Sequence, residues 1–322
     1  MRIAIVGTNF ISDRFAEAAL LVPGINIGAV YSRKPDTGAA FAKKYGIPTV
    51  YCDYKNMLGD KSLDAVYIAS PTMCHREQAE DAMRAGLAVL CEKAVCATYE
   101  EFLMLERVRK ECGAVMIEAM RCDFDRRHEF VKKNLHVIGK IKNAELEYRQ
   151  YSSRYDSFLS GTVMNAFDPQ MKNSALADIG IYPLHCCVSL FGEPISVSSV
   201  GEFLSNGFLA RGKSVLNYGD FNVTVSYSKI DEGMNVSRIC GEGGVISFDR
   251  INEPTYAKIS YGEREHVYTK EPIEYGNMYN EACAFFDIVS GKRTDGDKLW
   301  STTAITMKLM GMIYSQLGID FK

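Results

Sequence analysis

The fold is decided by the stretch Arg2-Ile3-Ala4-Ile5-Val6-Gly7-Thr8-Asn9-Phe10-Ile11. Residues 2–6 form an apolar, β-branched run of strand length, Gly7 interrupts it, and a helical pattern begins at Phe10. A buried strand, a tight glycine turn and a helix together present backbone N–H groups to a pyrophosphate, and the helix N-terminus adds partial positive charge. The stretch therefore predicts the dinucleotide-binding turn of an α/β domain, with an ordinary strand–helix unit as the alternative.

The turn departs from the usual glycine fingerprint. In G-x-G-x-x-G/A the three small positions fall on Gly7, Asn9 and Ser12, so only the first is glycine. Asparagine tolerates left-handed backbone and is a good helix N-cap, and serine is still small. The turn is therefore physically feasible, and its predicted cofactor contacts are Gly7, Thr8, Asn9, Phe10 and Ile11.

Length and composition limit the possible classes of protein. A chain of 322 residues is usual for two domains. The net charge of −3 leaves no basic excess for nucleic acid. No apolar stretch reaches the roughly 18 residues of a membrane span, and Met1-Arg2 leads directly into a strand, so neither a membrane anchor nor a signal peptide is expected. Ten scattered cysteines without a C-x-x-C pair predict reduced core thiols in a cytoplasmic protein, with structural zinc or a disulfide as the alternative and no metal expected.

Residues 1–120 alternate strand and helix patterns. Strands are predicted at residues 2–6, 25–31, 48–51, 65–69, 87–91 and 114–119, with helices from residue 10 and at residues 35–45, 75–85 and 98–112. This alternation predicts a Rossmann domain, a doubly wound parallel sheet covered on both faces. Its ligand is expected beyond the carboxyl ends of the strands.

Residues 121–322 show a different pattern, which predicts an α+β domain with an open, mainly antiparallel sheet. Residues 141–151 alternate as an antiparallel strand should, and further strands are predicted at 221–227, 236–240, 245–248 and 256–260. Residues 152–173 read as a long loop. Helices are predicted at 125–134, 174–190, 277–290 and 299–317, the last of them packing back on the sheet or on the first domain.

The second strand ends in a pattern that favours NADP. An acidic side chain at this position would bind the ribose hydroxyls of NAD, whereas Ser32 and Arg33 suit a 2′-phosphate. A cation before a helix N-terminus is slightly unfavourable, which indicates a purpose for Arg33. NADP is therefore the predicted cofactor, with NAD possible and a merely solvated Arg33 as the alternative.

Polar residues also follow the fourth and fifth strands. Ser70-Pro71-Thr72 offers a rigid apolar surface beside a flat ring, and His75 opens the next helix, where simple helix capping is the alternative. Glu92-Lys93 emerges from a buried strand end, so both charges must be partly desolvated. We predict that Lys93 stabilises a substrate alkoxide near the nicotinamide, while Glu92 holds the cofactor ribose or orients the lysine. The alternative is an exposed ion pair.

A third group of polar residues lies in the second half. Asp178, Tyr182 and His185 stand at i, i+4 and i+7, on one stripe of a helix. Gly180 within that helix costs about 1 kcal/mol against alanine, which indicates the close approach of a ring or backbone. Asp178 is predicted to accept a substrate hydroxyl and Tyr182 to exchange a proton with the reacting oxygen; an internally bonded polar stripe is the alternative. Further candidate substrate contacts are Arg121, the stretch 151–155 with Arg154, and His185.

Taken together, these motifs resemble the Gfo/Idh/MocA oxidoreductase family over essentially the whole chain. The residues that carry the resemblance are the Gly7 turn, Ser70-Pro71-Thr72 with His75, Ala85-Gly86, Glu92-Lys93 and Asp178-x-Gly180-x-Tyr182. The resemblance implies that Lys93 is the catalytic lysine and that Tyr182 takes the position of the family's His/Tyr. It also implies a Rossmann domain, an α+β domain whose open sheet builds a homo-oligomer, and hydride transfer between NAD(P) and a sugar, polyol or related alcohol.

Three sequence-based interpretations follow. The first is a cytoplasmic NADP-preferring dehydrogenase in which the ammonium of Lys93 and the phenol of Tyr182 meet at one carbon of a sugar-like or polyol-like substrate. The second is a catalytically weakened nucleotide-binding scaffold or sensor, because Asn9, Ser12 and Ala94 depart from the family pattern. The third is a structural interaction protein in which the Glu92-Lys93 pair is incidental.

Overall fold

The computed structural model describes residues 1–269 and 276–321, which divide into two compact units. The first unit contains residues 1–96 and 100–120 together with 276–301. The second contains residues 97–99, 121–269 and 302–321. These units differ from the predicted domains 1–120 and 121–322 chiefly because residues 276–301 pack with the first unit although they come late in the chain.

The helices of the described residues agree in type with the predicted ones and include two short additions. They are α1 (Phe10–Ala19), α2 (Pro35–Tyr45), α3 (Tyr54–Leu58), α4 (Thr72–Arg84), α5 (Tyr99–Cys112), α6 (Arg126–Asn134), α7 (Ser153–Leu159), α8 (Ile181–Phe191), α9 (Gly276–Val289) and α10 (Gly296–Gln316). Helix α3 was not predicted; Asp53 begins it by accepting a hydrogen bond from the Asn56 N–H, as a capping aspartate does.

A six-stranded parallel sheet forms the centre of the first unit. Its strands are β1 (Arg2–Val6), β2 (Asn26–Tyr31), β3 (Thr49–Tyr51), β4 (Ala65–Ile68), β5 (Ala88–Glu92) and β6 (Met116–Ala119), in the spatial order β3-β2-β1-β4-β5-β6. Strands β4 and β5 are buried along their whole length, as strands covered on both faces must be. The predicted doubly wound sheet is confirmed, and the strand order changes direction between β1 and β4, where such sheets bind ligands.

Helix α9 packs against α1 within the first unit. Gly24 precedes β2 at φ +96°, and a Cβ there would lie 2.8 Å from Cζ of Phe286. The first turn of α10 belongs to the same unit, where Trp300 stacks on Phe102 and donates a hydrogen bond to Glu106. Apolar side chains far apart in sequence thus draw residues 276–301 onto the first unit.

The second unit contains an eight-stranded sheet. Its strands are β7 (Ile141–Arg149), β8 (Ser196–Phe203), β9 (Leu209–Asn217), β10 (Asn222–Ser228), β11 (Val236–Gly241), β12 (Gly244–Asp249), β13 (Tyr256–Tyr261) and β14 (Arg264–Thr269), in the order β14-β13-β12-β11-β7-β10-β9-β8. The predicted open, mainly antiparallel sheet is confirmed.

Strand β7 is antiparallel to only one of its neighbours. It runs antiparallel to β11 but parallel to β10, with Asn143 opposite Asn222 and Arg149 opposite Ser228. The alternation of residues 141–151 reflects burial of Ala144 on one face of the sheet, and burial carries no information about the direction of a neighbouring strand. The expectation of an antiparallel strand therefore holds for the pairing of β7 with β11 and not for its pairing with β10.

Residues 152–173 are not the long loop that was predicted. Ser152 caps α7, and two 3₁₀ turns follow at Asn165–Phe167 and Pro169–Met171. Helix α7 has no fully buried residue, so it leaves no apolar periodicity in the sequence. Phe167 anchors the segment because its ring is completely buried against Phe208.

All ten cysteines are free thiols. Half of them are buried, but Cys52 and Cys112 are exposed, so the expectation of core thiols holds only in part. In residues 1–269 and 276–321, no helix combines the length and apolar character needed to cross a membrane.

Candidate active site

The glycine turn between β1 and α1 is compact because β4 ends directly against it. Gly7 has φ +106°, and a Cβ there would lie 2.9 Å from the carbonyl oxygen of Ala69. The Gly7 N–H donates to the Tyr31 carbonyl over 3.0 Å, which ties the turn to β2 as well. A glycine is therefore required at this position for both its backbone conformation and the space available.

Asn9, at the second glycine position of the fingerprint, forms hydrogen bonds with both α1 and the end of β4. Its side-chain oxygen accepts hydrogen bonds from the N–H groups of Ile11 and Ser12 at 2.9 and 3.2 Å, and its amide nitrogen donates to Ala69 over 2.7 Å. The side chain thus begins α1 and joins it to the end of β4. The ten-residue helix α1 thus begins with a capped N-terminus, at the place where the strand order of the sheet reverses. Such a helix N-terminus suits an anionic pyrophosphate.

The end of β2 carries a serine engaged within its own turn and two exposed cations. The Ser32 hydroxyl lies 2.8 Å from the Thr37 hydroxyl and 2.9 Å from the Lys34 carbonyl, so it shapes the start of α2. Arg33 and Lys34 are exposed, and no acidic side chain occupies this strand end. Two cations follow this strand end, which agrees with the sequence-based prediction of NADP.

His75 connects the loops that follow β4 and β5. Its Nδ1 lies 2.9 Å from the Ala94 carbonyl oxygen and its Nε2 lies 2.8 Å from the Ser70 carbonyl oxygen. Burial lowers the pKa of the imidazole, and the two carbonyl contacts act against this shift. His75 is buried within α4 rather than at the helix start, so it holds Ser70 and Ala94 in place and is more than a helix cap. Pro71 is exposed and Thr72 is partly buried at the start of α4.

Glu92 is buried at the end of β5 and is not part of an exposed ion pair. It accepts a hydrogen bond from the Tyr67 hydroxyl over 2.6 Å and a longer one of 3.3 Å from the Lys93 N–H. Tyr67 in turn stacks on Phe15 of α1, with ring centroids 3.7 Å apart. Glu118 supports the other side of the loop by accepting from the Val95 N–H. Lys93 therefore lies in a loop that the buried carboxylates of Glu92 and Glu118 hold in place. The peptide bond between Lys93 and Ala94 is cis.

In the second unit, Tyr182 of α8 contacts Arg121. The guanidinium donates from Nη2 to the Tyr182 hydroxyl oxygen over 3.1 Å, and both side chains are buried. Arg121 also lies 3.8 Å from a carboxylate oxygen of Glu253, and Tyr148 packs beside the Tyr182 ring. The sequence analysis placed Arg121 as a substrate contact; the structure pairs it with the phenol, because its 3₁₀ turn Arg121–Phe124 faces α8.

Asp178 forms an ion pair that the sequence analysis missed. The ammonium of Lys229 lies 2.8 Å from Oδ2 of Asp178. Lys229 directly follows β10, where a lone lysine reads as a solvated residue at a strand end. No sequence signal distinguishes it from such a residue; only its packing does.

The predicted stripe of Asp178, Tyr182 and His185 is interrupted. Residues Leu176–Gly180 form a π-helical turn before α8, so spacings based on 3.6 residues per turn do not apply. His185 is fully buried, with Nε2 2.7 Å from Asp123, and was expected as a substrate contact. Within the second unit it is therefore bonded to Asp123, and its contact with substrate stays a prediction.

An aromatic ring that packs closely against position 180 explains why this residue is glycine, as predicted. A Cβ on Gly180 would lie 2.7 Å from Cγ of Tyr227, so the Tyr227 ring packs directly on the helix backbone.

The stretch 151–155 leads into α7, where Arg154 is exposed and Tyr155 stacks near Phe167. Lys93 and Arg33 belong to the first unit, and Asp178, Tyr182 and Arg154 to the second. That Lys93 and Tyr182 meet at one carbon stays a prediction.

Two curated relatives match this chain over its whole length, and a family model matches its first part. Residues 1–119 match the oxidoreductase family with an NAD-binding Rossmann fold. The scyllo-inositol 2-dehydrogenase (NADP(+)) IolU of Bacillus subtilis strain 168 is 37% identical over 324 residues, covering 100% of this chain and 98% of that protein. The uncharacterized oxidoreductase YgjR of Escherichia coli strain K12 is 32% identical, with coverage of 100% and 98%. Levoglucosan dehydrogenase, solved with NADH and levoglucosan, shares the fold with a TM-score of 0.85 at 19% identity, covering 99% of this chain and 97% of that one.

Proposed function

Because this chain belongs to the Gfo/Idh/MocA oxidoreductase family with an NAD-binding Rossmann fold, we propose that it reversibly oxidises a secondary hydroxyl of a cyclic polyol or sugar, with NADP as its cofactor. The observation that supports this proposal is the buried hydrogen bond from Arg121 to Tyr182, because a phenol beside a guanidinium would suit proton transfer. The naming of a full-length relative as an NADP-dependent inositol dehydrogenase supports the substrate class.

Residues of the first unit would hold the cofactor. The turn from Gly7 to Ile11 would take the pyrophosphate at the N-terminus of α1, and Arg33 would take the 2′-phosphate. Pro71, Thr72 and Glu92 would hold the nicotinamide half. When bound, the cofactor accepts the hydride from the substrate carbon or returns it.

Tyr182 would exchange the proton of the reacting hydroxyl. Its oxygen accepts a hydrogen bond from the Arg121 guanidinium, so the phenol can still donate its own proton to a second acceptor. During oxidation the phenolate that takes the substrate proton would be stabilised by the adjacent guanidinium. During reduction the phenol would return that proton to the alkoxide oxygen.

Lys93 and Asp178 would act on the same substrate as Tyr182. The Lys93 ammonium would stabilise negative charge on the reacting oxygen, and the braced loop around Glu92 would limit its movement. Asp178 would accept a hydrogen bond from a neighbouring substrate hydroxyl. A substrate with at least two hydroxyls suits this set of groups.

The assembly and compartment are also proposals. We propose that the outward face of the eight-stranded sheet, which exposes Val200, Lys213 and Val215, pairs with a second copy of the chain. Ten free cysteines favour a reducing compartment such as the cytoplasm. Light scattering after size exclusion tests the assembly: a mass of one chain at micromolar concentration would contradict it.

Purified protein titrated with NADPH and NADH, then assayed on inositol isomers, aldoses and their carbonyl counterparts, tests the function. We expect NADPH to bind and at least one inositol or sugar to be oxidised. Asn9, Ser12 and Ala94 depart from the family pattern, which leaves the alternative of a catalytically weakened nucleotide-binding scaffold or sensor. Tight NADPH binding without turnover of any substrate would support that alternative and contradict the enzyme.

A further inference from the structure

Lys229 is a lysine inside the second unit. Its side chain is only 4% exposed, although lysine is almost never buried without a partner. Burial of an ammonium without compensation is strongly unfavourable, so the groups around Lys229 must stabilise its charge.

Three kinds of group surround the ammonium. Its Nζ lies 2.8 Å from Oδ2 of Asp178 and donates a hydrogen bond to the Ala166 carbonyl over 2.8 Å. It also lies 4.7 Å from the ring centre of Phe167 and 5.4 Å from that of Phe208, within cation–π distance. A carboxylate, a carbonyl and two aromatic faces all favour the charged form of the lysine.

The backbone of Lys229 is held as firmly as its side chain. Its N–H donates to the Ala210 carbonyl over 2.9 Å, and its own carbonyl accepts from the Ser152 N–H over 3.0 Å. Lys229 therefore connects β9, the start of α7 and the π-helical turn that carries Asp178. A side chain fixed at both ends can hold a partner in one orientation.

The ion pair is asymmetric with respect to solvent. The Asp178 side chain is 34% exposed, whereas the Lys229 side chain lies behind it. A ligand that approaches from solvent would meet the carboxylate and not the ammonium. A nearby cation favours the ionised form of a carboxyl group, which can then only accept hydrogen bonds.

We propose that Lys229 is a positioning residue for the reaction: it keeps Asp178 ionised and aimed at solvent, so that the carboxylate accepts a hydrogen bond from a hydroxyl of a neutral polyhydroxy substrate. This inference rests on the proposed function. Lys229 itself acts through Asp178 and does not touch the substrate.

The test is a double-mutant cycle with Lys229→Met, Asp178→Asn and the double variant. Methionine retains an apolar stem between the phenylalanine rings and removes the charge. We expect Lys229→Met to lower kcat/KM about tenfold or more and to have little further effect in the Asp178→Asn background, because residues that act through one another are not additive. The acid limb of the pH profile of kcat/KM should also move to higher pH, since a carboxylate without its cation is protonated more easily. NADPH affinity should stay within about twofold of the parent.

Lys142→Met is the matched control. Lys142 lies on the same sheet and forms an exposed ion pair with Glu242 at 2.6 Å. Exposed pairs of this kind contribute little, so neither kcat/KM nor its pH profile should change. Lys229→Arg, which retains the charge, should preserve the position of the acid limb even where packing lowers kcat. Lys229→Gln, which also removes the charge, replaces the methionine variant if that protein does not fold.

Either of two results would overturn the inference. One is an acid limb of the kcat/KM profile that does not move in Lys229→Met. The other is an equal loss of kcat/KM from Lys229→Met in the presence and absence of the Asp178 carboxylate. If the parent protein oxidises none of the polyols, the proposed function fails, and the same cycle is measured by urea unfolding instead. Additive unfolding free energies would then overturn the inference separately.

Discussion

Arg121 donates a hydrogen bond from Nη2 to the hydroxyl oxygen of Tyr182 across 3.1 Å, although the two residues are 61 positions apart in the chain. The bond joins the 3₁₀ turn Arg121–Phe124 to α8 and is closed off from solvent on both sides. A phenol oxygen that accepts from a fixed cation retains its proton for a second acceptor. The proposed role of Tyr182 in proton transfer rests on this contact.

Replacement of this guanidinium should impair turnover. In Arg121→Met we expect kcat to fall by about 10²-fold, because the phenolate loses a preorganised charged donor. Steady-state kinetics measures this loss, with the exposed Arg126→Met as the control on α6. A kcat equal to that of the control would show that Arg121 is structural.

Removal of the phenol hydroxyl tests the proton transfer directly. Tyr182→Phe retains the ring that packs against Tyr148 and should lower kcat by about 10²–10⁴-fold, the usual contribution of a general acid or base. NADPH binding, followed by fluorescence, should not change. Tyr45→Phe removes a hydroxyl bonded to Asp13 at the last residue of α2 and is expected to retain full activity. Equal activity in the two variants would contradict the assigned role.

Lys93 is expected to matter for turnover and not for cofactor binding. Lys93→Met should lower kcat by orders of magnitude, since the developing alkoxide loses its cation, while the dissociation constant for NADPH changes by less than about threefold. The control is Lys61→Met, at an exposed position of the first unit. Unaltered turnover would remove Lys93 from the mechanism, and loss of NADPH binding would reassign it to the cofactor.

The choice between NADP and NAD should depend on Arg33. Arg33→Ser removes an exposed cation after β2, and we expect KM for NADP to rise about tenfold or more with KM for NAD little changed, because only NADP carries the 2′-phosphate. Lys43→Ser, on the exposed side of α2, controls for the change in net charge. A parallel rise for both cofactors would indicate a general electrostatic effect.

Gly180 should be intolerant of a side chain. Gly180→Ala places a methyl group 2.7 Å from the Tyr227 ring and should lower the free energy of unfolding by about 1–3 kcal/mol, the usual cost of overpacking. Gly243→Ala is the control, because its Cβ would have no neighbour nearer than 3.7 Å. Urea unfolding compares the two variants. A Gly180→Ala protein as stable as the control would mean that the Tyr227 ring can move away.

Local patterns were sufficient for the Rossmann half of the fold. The β-branched run before Gly7, the capping residue Asn9 and the alternation of strands and helices depend on interactions within a few residues, so the sequence displays them directly. The parallel pairing of β7 with β10 and the helix within residues 152–173 were not predicted. Strand direction depends on distant partners, and a seven-residue helix without a buried face leaves no periodic signal.

By itself, the sequence determined which chemical groups this protein offers: a glycine turn at a strand end, an arginine after β2, a Glu-Lys pair after β5, and an aspartate and a tyrosine near one helix. Only the tertiary structure decided how they are supported. Arg121 meets Tyr182, Lys229 meets Asp178, and Tyr67 meets Glu92 through contacts between elements far apart in the chain. The physical reason is that propensity and periodicity act over a few residues, whereas the burial that brings a cation to a phenol or a carboxylate depends on the packing of the whole unit.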